Sequence, residues 1–266
     1  MDIATAYRAA RQWVPFSLRT VGYGTISLTL GPLTRDHRAS LWAMREWCKS
    51  SCDGLGLDVE VSGLENVPPG AFVYASNHQS IVDIICLGSV LAGDYKWAAK
   101  KELLKVPFLG WHLKLAGHVP VERSRGSRAA AEVIARFEET LRRGKPLLIF
   151  PEGTRTPDGR LHAFKNGGFY AAVRAGAPVV PVAIEGTYEL MSRGSIAAGT
   201  HQRTLVRVKV GAPIPVPVEP KREPDRVTVL RDRTRAAVLA LLGELGGNVE
   251  PVEPSMAAAE RAEQGA

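Results

Sequence analysis

The pair best suited to move a proton is His78 and Asp83, five residues apart in Asn77-His78-Gln79-Ser80-Ile81-Val82-Asp83. An imidazole titrates near neutral pH. A carboxylate holding one ring nitrogen leaves the other free to take a proton from a hydroxyl. The same spacing is often structural, so its position matters. The apolar run Ala71 to Ala75 precedes the pair and the apolar stretch Ile81 to Leu91 follows it. A strand leading into a helix over Ser80 to Leu91 puts Asp83 in the first helical turn, within reach of His78. A second group, Phe150-Pro151-Glu152-Gly153-Thr154-Arg155, closes another apolar run, and Arg123 follows a third, His118 to Val121. Guanidinium forks match phosphate oxygens. Glu152 can accept a hydrogen bond from a hydroxyl on the same ligand. Three strand exits carrying these groups predict one cleft, where α/β folds bind ligands. The chemistry would be deprotonation of a hydroxyl that attacks an activated carbonyl, beside a clamp for a phosphate ester. Backbone amides at the start of the helix after His78, or near Gly153, are expected to hold the oxyanion.

The rest of the chain supplies elements to position these groups. Short strands are expected at Leu57 to Val61, Phe72 to Ser76, Tyr95 to Ala99, His118 to Val121, Pro146 to Phe150, Val179 to Ile184 and Thr204 to Val210. Between them, Lys101 to Leu115 reads as a helix broken near Pro107. Ala130, Val133, Ile134, Phe137 and Leu141 recur at helical spacing within Ser127 to Arg143. Gly168 to Arg174 and Val227 to Leu245 are further helices, the latter after a proline-rich strap. Alternating strands and helices predict an α/β sheet covered by helices. The expected organisation is an N-terminal helical segment over 1–56, a catalytic domain over 57–245 and a disordered tail over 246–266.

Composition narrows the function classes. The chain has 266 residues, 45 % hydrophobic and 23 % charged, as expected of a domain with a substantial core. A net charge of +7 and a pI near 9.5 favour an anionic partner. Cys48, Cys52 and Cys86 show neither a disulfide framework nor a zinc-ligand spacing, so they read as structural. No phosphate-binding loop, dinucleotide fingerprint or zinc-protease motif occurs. The alternating basic residues of Arg203 to Lys209 fit a wet strand face, so nucleic acid is not an expected partner. Val14 to Leu33 is too diluted by Arg19, glycines and hydroxyl residues to span a bilayer. With Trp13, Phe16, Tyr23, Trp42 and Trp47 among flanking arginines, it reads as an interfacial anchor on anionic lipid. A helical pair packed on the core is the alternative.

Four blocks in order resemble the glycerolipid acyltransferases of the 1-acylglycerol-3-phosphate acyltransferase family. Asn77 to Asp83 resembles the first and Phe150 to Arg155 the third. Ala99-Lys100-Lys101-Glu102-Leu103, Pro107-Phe108-Leu109-Gly110 and Val119 to Arg123 resemble the second, and Val180 to Ile184 the fourth. The resemblance implies a mixed, largely parallel β-sheet flanked by helices, with an N-terminal helical membrane-associating element. It implies fatty-acyl transfer from acyl carrier protein or a coenzyme A thioester to the free hydroxyl of 1-acylglycerol 3-phosphate, with no cofactor. His78 would be the base and Asp83 its orienting carboxylate. Arg123, Glu152, Gly153, Thr154 and Arg155 would bind the glycerol phosphate, with Lys100, and more distantly Lys165, beside them. The enzyme would sit on the cytoplasmic face of the inner membrane. Other readings are an acyltransferase for another lyso-lipid, such as a lyso-ornithine lipid or lysophosphatidylethanolamine, a thioesterase, or a non-catalytic lipid-binding module.

Overall fold

A computed structural model describes residues 3–121, 127–190 and 203–250. Arg123, His201 and the tail from 251 lie outside these. The chain opens with two helices, α1 (Ile3–Leu30) and α2 (Arg38–Gly54). They pack against each other through Phe16 on Trp47, ring centres 5.5 Å apart, and through a 3.0 Å hydrogen bond from Trp47 Nε1 to Thr20 Oγ1. Ser27 of α1 meets the Nδ1 atom of His112 at 2.6 Å, which ties the pair to the rest of the fold. No helix among the described residues is long and apolar enough to cross a membrane.

Seven strands follow in the spatial order β1-β7-β6-β2-β5-β3-β4. They are β1 (Leu57–Ser62), β2 (Val73–Ser76), β3 (Lys96–Lys100), β4 (Val119–Val121), β5 (Leu147–Ile149), β6 (Val179–Glu185) and β7 (Thr204–Val210). Every pairing is parallel except β6 with β7, so the sheet is mixed and largely parallel. The remaining helices are α3 (Asp83–Val90), α4 (Leu109–Leu115), α5 (Ser127–Arg142), α6 (Gly167–Ala175) and α7 (Glu223–Glu244). The expected helix before α4 is a 3-10 turn, Lys101–Lys105, because Pro107 removes the amide that would join it to α4.

The sheet divides the core in two. One face carries Tyr74, Val180, Val182 and Leu148 against Trp47, Ile85 and Leu87 of α2 and α3. The other carries Val73, Ala75, Leu147 and Val179 against Phe137, Phe169 and Leu230 of α5, α6 and α7. Helices on both faces explain why β2, β5 and nearly all of β6 are apolar without alternation. At roughly 1.5–3 kcal/mol per fully buried side chain, this core tolerates irregular loops at the strand ends. β2 lies between β5 and β6, so three parallel strands deliver their C-terminal loops to one edge of the sheet.

Candidate active site

β2 ends at Ser76, and the loop beyond it is locked by Asn77. The buried Asn77 side chain donates to the carbonyl of Ile184 and accepts from its amide, each at 2.9 Å, as a strand neighbour would. His78 comes next, only 7 % exposed, with its ring stacked on Phe150 at 4.0 Å between centres. Its Nδ1 atom meets Asp83 Oδ2 at 2.8 Å. The remaining ring nitrogen, Nε2, is therefore the one able to take a proton. The sequence predicted this contact, but the helix begins at Asp83 instead of Ser80. The reason lies in the carboxylate: Oδ2 also accepts the Gln79 and Ser80 amides, at 2.7 and 2.8 Å, and pulls those residues into a tight turn.

That turn corrects the expected oxyanion donors. The amides of Gln79 and Ser80 point at Asp83, and the Gly153 amide donates to the Phe150 carbonyl at 2.9 Å, so these three are already occupied.

Glu152 stands at the end of β5, beside β2, and is buried. Its Oε1 atom accepts the His78 amide at 2.8 Å, and its Oε2 atom accepts the His162 amide at 3.1 Å. Both oxygens thus receive backbone N–H groups, and the carboxylate links three loop segments. Burial pushes the Glu152 carboxyl up to about 7, against these two bonds, which favour the ionised form. The Thr156 amide returns a bond to the His78 carbonyl at 2.8 Å. His162 supports the site through its backbone. Arg235 of α7 secures that segment by donating to the carbonyls of Leu161 and His162.

His78 lines a cavity of about 870 Å³. β3 and β5 share register only at Lys96 with Leu147 and Trp97 with Leu148. Beyond that point the strands part, and Ala98, Ala99, Ile149 and Phe150 line the space that opens between them. Val133, Ile134 and Phe137 of α5 and Trp13 and Phe16 of α1 add apolar walls. Among the described residues on its lining are two cations, Lys100 and Lys165, and Gly153. Lys165 is exposed, and its ammonium lies where a Cβ on Gly153 would come within 2.6 Å, so the glycine makes room for it. Gly153 also has a φ of 74°, a conformation that disfavours other residues. Thr154 is exposed and Arg155 is half-buried in the same loop, and neither is part of the cavity lining.

His112 and His118 belong to the core. The first bonds Ser27, the second accepts the Trp97 amide at 2.9 Å, and burial pushes both rings down from the usual histidine range. Cys48, Cys52 and Cys86 are free and buried.

Comparison with known proteins bears on the family and the fold. The family described as Acyltransferase matches residues 58–185. A Brassica napus chloroplast protein named 1-acyl-sn-glycerol-3-phosphate acyltransferase BAT2 is 40 % identical over 157 residues, covering 58 % of this chain. The match spans 44 % of that relative, under half its length. The Pseudomonas aeruginosa 1-acyl-sn-glycerol-3-phosphate acyltransferase is 33 % identical over 187 residues, which cover 69 % of this chain and 72 % of that one. A crystal structure of PlsC, the 1-acyl-sn-glycerophosphate acyltransferase of Thermotoga maritima, superposes with a TM-score of 0.74. It shares 29 % identity, and the alignment covers 90 % of this chain and 96 % of that one. On the family match over 58–185, the identity and length of the bacterial match and the superposition, the chain belongs to the acyltransferase family that contains the 1-acyl-sn-glycerol-3-phosphate acyltransferases.

Proposed function

We propose that this protein moves a fatty-acyl group from a thioester to the free hydroxyl of 1-acylglycerol 3-phosphate, giving phosphatidic acid. The observation that carries this reading is the His78–Asp83 pair, with His78 on the lining of an apolar cavity large enough for a lipid-sized ligand. Asp83 fixes the tautomer with the proton on Nδ1. Nε2 then takes the acceptor's hydroxyl proton as its oxygen attacks the thioester carbonyl. The tetrahedral intermediate expels the thiolate, and His78 returns the proton to sulfur. The acyl chain occupies the space between β3, β5 and α5. Lys100 and Lys165 meet the acceptor phosphate from the cavity side, and Gly153, Thr154 and Arg155 from the loop after β5. Arg123, which follows β4 in the sequence, is proposed as a further phosphate-binding residue. Glu152 acts through His78, whose amide it holds.

The donor is an acyl carrier protein or coenzyme A thioester; the net charge of +7 suits either, as both are anionic. The protein works on the cytoplasmic face of the inner membrane, resting on α1 and α2. Support for this placement comes from Val14, Leu18 and Val21 of α1 and Trp42 of α2, all exposed large apolar side chains. The 1–56 segment is then an interfacial anchor and 57–245 the catalytic domain.

The test is turnover with a labelled acyl thioester and a panel of lyso-lipids, products separated by thin-layer chromatography. Labelled phosphatidic acid is expected. Preference for a lyso-ornithine lipid or lysophosphatidylethanolamine would move the acceptor. Free fatty acid alone would mean a thioesterase, and no product a binding module.

A further inference from the structure

Thr187 lies two residues beyond β6, in a segment that none of the sequence blocks includes. It is fully buried, and its hydroxyl is 2.5 Å from Asp83 Oδ1 and 3.2 Å from Gln79 Oε1. A threonine hydroxyl has one proton, and the shorter contact to a carboxylate takes it. Asp83 is itself fully buried. Its Oδ2 atom accepts from His78, Gln79 and Ser80, while Oδ1 accepts the Thr187 hydroxyl. The backbone is shaped to bring the hydroxyl there. Gly186 has a φ of 96°, and a Cβ on it would come within 2.5 Å of the Leu205 carbonyl oxygen of β7. Only glycine lets the chain leave the sheet here and turn Thr187 over Asp83. Gln79 extends the contact, its Nε2 donating to Glu185 Oε2 at 2.9 Å.

We infer that Thr187 is a positioning residue for acyl transfer: by donating to Oδ1 it fixes the plane of the Asp83 carboxylate and moderates its charge, so that Oδ2 stays aligned on His78. The inference rests on the proposed role of His78 as base. Losing that donor lets the carboxylate turn, so that Oδ2 leaves the line of the His78 Nδ1 hydrogen bond. Other ionisable groups facing the pair are Glu152 beyond β5, Glu185 at the end of β6, Cys86 on α3, and Lys100 and Lys165 on the cavity lining. Thr187 is linked to one of them, Glu185, through Gln79.

Two measurements on the full chain test this. The first is the downfield NMR signal of the His78 Nδ1 proton shared with Asp83, assigned by its loss in His78→Asn, which needs no substrate. Thr187→Val should move that signal upfield or broaden it away, and Thr187→Ser should restore it. The second is kcat and KM with a labelled thioester and lysophosphatidate. Thr187→Val should lose about tenfold or more in kcat and leave KM nearly unchanged. An unmoved His78 proton signal overturns the inference. So does a loss that Thr187→Ser shares and that simply follows a lowered melting temperature. If Thr187→Val does not fold, Thr187→Ala and Thr187→Ser give the same comparison of hydroxyl absent against hydroxyl present. Failure of the wild type to turn over any lyso-lipid would count against the proposed function instead, since the proton signal needs no substrate.

Discussion

The amide of His78 donates to the Oε1 atom of Glu152 at 2.8 Å, so the proposed base is held by its backbone as well as by its ring. The bond crosses from the loop after β2 to the loop after β5. Glu152→Gln keeps an acceptor for one amide but turns an NH2 group toward the other. The expected result is a lower kcat together with a loss of about 1–3 kcal/mol of stability, read from urea melts. Wild-type kcat and stability in this variant would show that the carboxylate holds nothing in place.

Glu152 also predicts a pH dependence. Its carboxyl stands near 7 in the folded protein, above the usual glutamate value, because it is buried. A raised carboxyl favours the fold in its protonated form. This contribution is complete below the unfolded value near 4.5 and fades as pH rises through about 7. Between pH 5 and pH 8 the wild type should thus lose stability relative to Glu152→Gln, whose side chain does not titrate. A stability difference that is constant over that interval would contradict the shift.

His78→Ala should lower kcat by about 10²–10⁴-fold with little change in melting temperature, as expected for a general base. Asp83→Asn should do more harm to the fold. The buried carboxylate accepts three N–H groups and one hydroxyl, and an amide nitrogen cannot serve those donors. Calorimetry and turnover measured side by side separate the two effects. Near-normal turnover by His78→Ala would refute its role as base.

Lys165→Ala and Arg155→Ala should each raise KM for the phosphate-bearing acceptor with kcat nearly unchanged. The larger effect is expected at Lys165, which lines the cavity while Arg155 does not. Comparison with an uncharged acceptor checks the claim. An equal loss with that acceptor removes the phosphate clamp.

Gly168 lines the same cavity, and a Cβ there would come within 2.3 Å of Ile149 Cδ1. In Gly168→Ala the flexible tip of Ile149 must move, which reshapes the space between β5 and α6. Long-chain donors should lose about tenfold in kcat/KM, the scale of one methylene in an apolar pocket, and short-chain donors less. Equal losses for all chain lengths would argue against an acyl chain lying there.

The parts legible in the sequence are those held by local spacing. The His78–Asp83 contact spans five residues and needs only a strand followed by a helix start. The strands and helices follow from their apolar runs, and β7 matches its expected range, Thr204–Val210. What could not be read is where distant loops meet. Asn77 clamps Ile184 and Thr187 caps Asp83 across more than a hundred residues, with no periodicity to announce either contact. Part of the oxyanion expectation is closed off for a local reason: Asp83 gathers the Gln79 and Ser80 amides at the turn before the helix. Arg155 shows another limit, since spacing places a guanidinium in a loop but not the direction it faces.

The pairing of β1 with β7, Leu57 opposite Thr204, has a consequence for how the chain matures on the ribosome. β1 has no other neighbour in the sheet, so it must wait for most of the polypeptide to be made. The same delay applies to Asp83, whose Thr187 cap emerges only after β6. The opening helices α1 and α2 leave the exit tunnel long before either partner. On the proposed role of these helices as a lipid anchor, the growing chain would dock before Asp83 had received its cap.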